Sequence, residues 1–391
     1  MKNIAIISCL VLLMFGSGVM AQSRIEVGNY PQTVNDSFNK NPGVEVETWL
    51  QNLEVPWDLV FLPDSKRSLF TERKGLVRHV KAGKLQEKAY LKLDLNPGGE
   101  NGLMGITLHP EFPDVPYVYL MYTYHSKTGN LYNRVSRFKD LGERAGTEEI
   151  IIDQIPAGNY HAGGRIEFGP DQMLYITTGD SGQKDLAQQQ NNLAGKILRL
   201  TAQGKIPTDN PDPDSPIYSS GHRNPQGLAW HPQTKELFIS DHGPSGEAGL
   251  RAKDRIKVVR SGANFGWPVK IGAFVTGIYQ QKYANPLIMW RKTVPPSGMT
   301  FYQNSLFVAT LGSQSLVKID LKTLAADSSQ PDYQIEKIEH WFRKKTGESS
   351  YGRIRTAVTG PDGYLYFLTN NLDGRGNPRS GDDKILRFKI Q

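Results

Sequence analysis

The chain has one cysteine among 391 residues, and Cys9 lies in a segment that a mature exported protein would not keep. Residues 4–15 form an apolar run broken only by Ser8. Lys2 precedes it, and a short stretch at 16–21 follows it, ending in Ala21. This is the pattern of a secretory leader cleaved after Ala21. The run is too short to span a bilayer comfortably. Gln22, not a cysteine, follows the cleavage point, so a lipid anchor is not expected. With residues 1–21 removed, no thiol remains, which excludes disulfides, thiolate metal sites and a cysteine nucleophile. No second membrane-length run occurs, so the expectation is a periplasmic or secreted protein without membrane insertion. The net charge of +7 is not gathered into a Lys/Arg block, which gives no support for nucleic-acid binding.

Several motifs are also missing. No Gly-x-Gly-x-x-Gly follows a strand and opens a helix, so a nicotinamide Rossmann site is not expected. There is no Walker loop, no His-Glu-x-x-His, no Gly-x-Ser-x-Gly elbow and no EF-hand loop. No long segment of 3.6-residue periodicity accompanies the repeats described next. What is abundant is Gly (39), Pro (24), Tyr (17) and Phe (15), a composition suited to many short strands joined by turns.

One unit recurs six times. A stretch of small and apolar residues, a turn and an apolar strand occur at 57–71, 105–120, 164–177, 227–240, 298–308 and 356–368. Each is followed by a strand alternating apolar with basic residues, at 76–80, 134–138, 196–200, 255–259, 316–319 and 384–388. The apolar strands are expected to be buried on both faces and the alternating ones to expose one face. Six strand-rich repeats at this spacing predict an all-β six-bladed β-propeller with four-stranded blades over residues 44–391. Residues 22–43 are expected to be an irregular lead-in. Function in a propeller gathers on one face around the central channel.

Four places carry residues suited to chemistry there. His161 lies in Asn159-Tyr160-His161-Ala162-Gly163-Gly164-Arg165, and Asp180 ends the strand that follows. A carboxylate bonded to one imidazole nitrogen would fix the tautomer and raise the basicity of the other, but a histidine beside glycines is also a common structural residue. Gly221-His222-Arg223-Asn224-Pro225-Gln226-Gly227 offers a planar cation and amides for a flat anionic ligand, or a turn that bonds only its own backbone. Asp241-His242-Gly243-Pro244 could expose carbonyl oxygens to calcium, or form an ordinary tight turn. Arg353 and Arg355 lie on one side of a strand, an arrangement that calls for an anion between them or for solvent around them.

Taken together, these segments resemble the soluble quinoprotein glucose dehydrogenase and aldose sugar dehydrogenase family, six-bladed propellers that bind pyrroloquinoline quinone (PQQ) and calcium. The matches are 221–227, Asn-Gly-Leu-Met-Gly at 101–105 with His109-Pro110, His161 with Gly163-Gly164-Arg165, and Asn264-Phe265-Gly266-Trp267-Pro268. The resemblance implies oxidation of the anomeric hydroxyl of aldose sugars to lactones by hydride transfer to PQQ, with electrons passed to an unidentified acceptor. It implies His161 as base, oriented by Asp180. Arg223 and Asn224 would lie against the quinone, with Gln226 close by. Arg353 and Arg355 would pair with PQQ carboxylates, and the carbonyls of Gly243 and Pro244 would hold calcium. Glu100 stands where the family often has a Gln facing the sugar. Two departures are visible. Gly312 stands at or near a position where the glucose dehydrogenases carry a Lys, and residues 247–253 intervene before Asp254. Two other functions fit the same scaffold: a calcium-dependent lactonase, which would need acidic metal ligands around the channel, and a non-catalytic binding propeller.

Overall fold

The computed structural model describes residues 24–32, 35–63, 66–324 and 332–390. The leader expected at 1–21, with Cys9, lies outside these residues. Six antiparallel sheets form the blades of a propeller, as the repeats predict. Their innermost strands are Pro56–Phe61, Leu103–Leu108, Ile166–Phe168, Pro225–Trp230, Pro296–Tyr302 and Ile354–Thr359. The sixth blade runs Ile354–Thr359, Leu365–Thr369 and Ile385–Phe388, and its outer strand is Glu47–Leu50 from the start of the domain. Pairing of Ile385 with Leu50 and of Arg387 with Glu47 closes the ring. This strand is not legible in the sequence, because four residues with one buried position carry almost no periodic signal.

The core consists of wedges between neighbouring blades. Leu69, Val77, Ile106 and Leu120 join the first blade to the second, and Phe307, Leu316, Phe367 and Phe388 join the fifth to the sixth. Polar ties also cross between neighbouring blades, here from the first to the second and from the fourth to the fifth. Thr71 Oγ1 donates to the Met104 carbonyl at 2.6 Å, and Ser240 Oγ to that of Ser297 at 2.8 Å.

Two expectations are refined. The lead-in is not wholly irregular: Glu26–Val27 pairs in parallel with Lys270–Ile271, and Asp36–Asn39 adds a parallel strand to the outer edge of the fifth blade. The alternating basic strands also differ among themselves. In the third and fourth blades Lys196, Arg199, Arg255 and Lys257 are buried. Each has found an oxygen partner, as a buried cation must. Lys196 Nζ donates to the carbonyls of Leu186, Ala187 and Ala194, Arg199 pairs with Asp171 and Asp209, and Arg255 and Lys257 share Asp241. Among the described residues no helix is long and apolar enough to cross a membrane.

Candidate active site

In each blade the start of the innermost strand and the end of the second strand fall at the same edge of the disc, because the two run antiparallel. Residues just before the first or just after the second therefore meet around one mouth of the channel. All six blades contribute to a cavity of about 210 Å³ there. Arg73, Glu100, His161, Arg223, Gly312 and Arg353 come from the first to the sixth blade in turn.

His161 has a φ of 59°, a left-handed conformation uncommon outside glycine. Gly179 makes it possible: a Cβ there would lie 1.9 Å from the His161 carbonyl oxygen. That close approach sets His161 Nδ1 2.6 Å from Asp180 Oδ1. Asp180 is 1 % exposed, and its other oxygen accepts from the Trp267 indole N–H at 2.8 Å. The Gly182 amide also donates to Oδ1. With Nδ1 so engaged, Nε2 is the ring nitrogen available on the cavity side. A fixed tautomer of this kind is what a proton acceptor needs.

Asn224 does not bond merely within its own turn. Its side chain accepts from the Gly163 amide at 3.1 Å and donates to Glu100 Oε2 at 3.1 Å. Asp241 Oδ1 in turn accepts from the Asn224 amide at 2.8 Å. The Arg223 guanidinium lies 5.7 Å from the Trp267 ring centre and pairs with Glu247. Gln226 belongs to a strand rather than to the preceding turn. Its Oε1 accepts from Arg355 Nη1 at 2.9 Å.

Arg353 and Arg355 both line the cavity. Arg353 rests on Asp373, with Nη2 at 2.7 Å. Among the described residues Arg355 has no carboxylate partner of its own, and its Nε is buried without a hydrogen bond. Burial, and to a lesser extent the Arg353 charge, brings its pKa down to about 9 despite nearby Asp373. A bound polyanion would relieve both the unmet donor and the repulsion, so the donor set fits a multiply carboxylated ligand. Gly243 and Pro244 are buried between the cavity residues His242 and Ser245. A Cβ on Gly243 would meet the carbonyl oxygens of Ala252 at 1.9 Å and Lys253 at 2.6 Å. The loop thus packs closely on residues 252–253, and the carbonyls of Gly243 and Pro244 are of the donor type calcium takes. Among the described residues no group of three His, Cys, Asp or Glu is placed to hold a metal. Any ion would therefore rest on carbonyls and on ligand atoms.

Glu100 lies in the cavity, but its oxygens are already engaged. Oε2 accepts from the His161 amide and Asn224, and Oε1 from Arg375 at 3.0 Å. Burial pushes its pKa up, yet the charges of His242, His161 and Arg375 outweigh this and bring it down to about 2. A carboxylate lowered in the folded state stabilises the fold above its unfolded value of 4.5, and that stability is lost as pH falls towards 2. Glu100→Gln would turn an amide N–H₂ against these donors. We expect it to cost about 1–3 kcal/mol near neutral pH and less at pH 3, as measured by urea unfolding at both.

The side-chain roles of Asp241, Glu247, Asp373, Arg375 and Trp267 are not legible in the sequence. Trp267 falls in a quoted motif, and its indole bond to Asp180 supplies the missing reason. The rest act through partners more than ten residues away in the chain, which a local pattern does not reveal.

A propeller whose six blades focus a carboxylate-oriented histidine and a set of arginines on one anion-seeking cavity is the scaffold of a cofactor-dependent enzyme. Residues 53–386 match the model of the Glucose / Sorbosone dehydrogenase family, and the chain belongs to that family. An aldose sugar dehydrogenase of Escherichia coli is 32% identical over 364 residues, covering 85% of this chain and 91% of that protein. Quinoprotein glucose dehydrogenase B of Acinetobacter calcoaceticus is 31% identical, over 68% of this chain and 60% of that one. The PQQ-bound aldose sugar dehydrogenase of Streptomyces coelicolor superposes with a TM-score of 0.74 at 33% identity, covering 89% of this chain and 98% of that one.

Proposed function

We propose that the protein is a PQQ- and calcium-dependent dehydrogenase that oxidises the anomeric hydroxyl of aldose sugars to lactones outside the cytoplasm. The observation that carries this reading is the meeting of the His161–Asp180 pair with Arg223, Arg353 and Arg355 around one cavity. When bound, the quinone supplies the hydride acceptor and calcium the Lewis acid.

The chain's own groups do the rest. His161 Nε2 takes the proton of the anomeric hydroxyl, and Asp180 holds the ring and stabilises the imidazolium that forms. Arg223 and Asn224 would orient the quinone, and the Arg223 guanidinium would supply positive charge beside it. Arg353 and Arg355 would bind its carboxylates, and the carbonyls of Gly243 and Pro244 would hold the cation. The apolar leader supports export. The electron acceptor is a partner yet to be identified. The lactonase alternative calls for acidic ligands around the channel, and the described residues place no such cluster there. Membership of a dehydrogenase family argues against a purely binding role.

The test is reconstitution. Apo-protein supplied with PQQ and calcium should reduce an artificial dye in the presence of aldoses, and should fail when either addition is left out. Tight PQQ binding with no dye reduction by any aldose would defeat the reading.

A further inference from the structure

Arg223 is the most buried arginine lining the mouth, at 2 % exposed, yet it already has a counter-ion. Glu247 Oε1 accepts from its Nε at 2.8 Å and forms an ion pair with its Nη2 at 2.6 Å. The second oxygen, Oε2, accepts from the Ser245 amide at 2.6 Å, so the carboxylate is itself fixed. Glu247 sits at the tip of a small loop closed by the Gly249 amide on the Gly246 carbonyl and the Leu250 amide on the Glu247 carbonyl. A bridge between Ser245 and Arg251 clamps its base. Ala248, the next residue, is held at a φ of 50°. A non-glycine residue in that region costs free energy, and it persists here because the surrounding bonds impose it.

The guanidinium is planar, with five N–H donors in one fork. Glu247 takes the Nε and Nη2 edge, which fixes the plane and leaves Nη1 unclaimed by the carboxylate. Its charge also offsets that of Arg223. The lining brings five arginines (73, 223, 353, 355 and 375) together with only Glu100 and Asp373 as carboxylates. Glu247, bound to one of these arginines, adds a negative charge that moderates a strongly cationic site.

We propose that Glu247 is the positioning residue of Arg223, fixing its plane and, as its counter-ion, limiting how tightly the site holds an anionic cofactor. This rests on the functional reading above. Two variants separate charge from orientation. Glu247→Gln retains an acceptor for Arg223 but removes the charge, and Glu247→Ala removes both. PQQ binding to apo-protein is titrated optically in calcium-containing buffer, the midpoint potential of the bound cofactor is measured, and kcat and KM are determined with saturating PQQ.

In Glu247→Gln the Kd for PQQ should fall about tenfold, because one negative charge has left an anion-binding site. The potential should move positive, since the unopposed Arg223 favours the more negative reduced form, while kcat stays within a few-fold. Glu247→Ala should show the same potential shift, but kcat should fall at least tenfold with the sugar KM unchanged. A purely structural glutamate would move neither the potential nor the affinity in this direction. Unchanged or weaker PQQ binding by a folded Glu247→Gln protein, with wild type binding normally, overturns the proposal alone. Wild-type protein that binds no PQQ overturns the functional reading and takes this inference with it.

Discussion

Replacing His161 with Ala is expected to lower turnover roughly 10²–10⁴-fold, the range a positioned general base contributes, while leaving PQQ bound. The two halves of that outcome have separate structural causes. Proton transfer depends on the imidazole, whose Nδ1 is held by Asp180 and whose free nitrogen serves the cavity. On the proposed function, cofactor affinity rests on Arg223, Arg353 and Arg355, none of which bonds the His161 side chain in the structure. One complication can be controlled. Position 161 has a left-handed backbone, which alanine tolerates less well than asparagine. His161→Asn should therefore fold more stably than His161→Ala and be equally slow. The check is steady-state dye reduction at saturating PQQ, beside an optical PQQ titration of each variant. Turnover within a few-fold of wild type in either variant would remove His161 from the chemistry.

The propeller is legible in the sequence because its signal is repetitive. Six apolar strands, each followed by an alternating one, leave little room for another architecture, and the blades fall where those segments predict. What is not legible depends on single pairings. The closing strand Glu47–Leu50 is defined by its distant partner Ile385–Phe388, not by any pattern of its own. Basic residues in the alternating strands look alike on the page, yet Lys318 reaches Asp320 at a partly exposed edge while Lys257 lies inside. The difference is made by Asp241, which a neighbouring strand brings to Lys257. The site follows the same rule. His161, Asp180, Arg223, Asn224, Gln226, Arg353 and Arg355 stand out locally, but the carboxylates that hold the arginines do not. Residues 247–253 read only as an intervening stretch, and their first member proves to be the partner of Arg223.

Asp241 joins the core to the site, and Asp241→Asn is expected to destabilise the protein by about 3–5 kcal/mol, the cost of breaking a buried ion pair from one side. Asp241 is 0 % exposed. Its Oδ2 accepts from Lys257 Nζ at 2.5 Å and from Arg255 Nη2 at 3.1 Å, and its Oδ1 from the Asn224 amide. Burial alone would push its pKa up, but the charges of Lys257 and Arg255 drive it strongly down, so the carboxylate is ionised. Burial lowers the Lys257 pKa to about 7 against the pull of Asp241. His222, driven low by burial and the Lys257 charge, is neutral, and its Nδ1 is a further acceptor for that ammonium at 3.1 Å. Asparagine leaves Arg255 and Lys257 without a counter-charge in a place water does not reach. The sign of the pH dependence follows from Lys257. A lysine lowered in the folded state binds fewer protons there than in the unfolded chain, so stability rises with pH between about 7 and its ordinary 10.5. Without Asp241 that pKa falls further, and the neutral amine escapes the unpaired-charge penalty. The gap between Asp241→Asn and wild type in urea unfolding should therefore be larger at pH 6 than at pH 9. A gap that is small and flat with pH would mean that Asp241 serves only as a hydrogen-bond acceptor for the Arg223–Asn224 turn. In that case the variant would also bind the cofactor as wild type does, because the asparagine oxygen still accepts from the Asn224 amide and anchors the turn that presents Arg223.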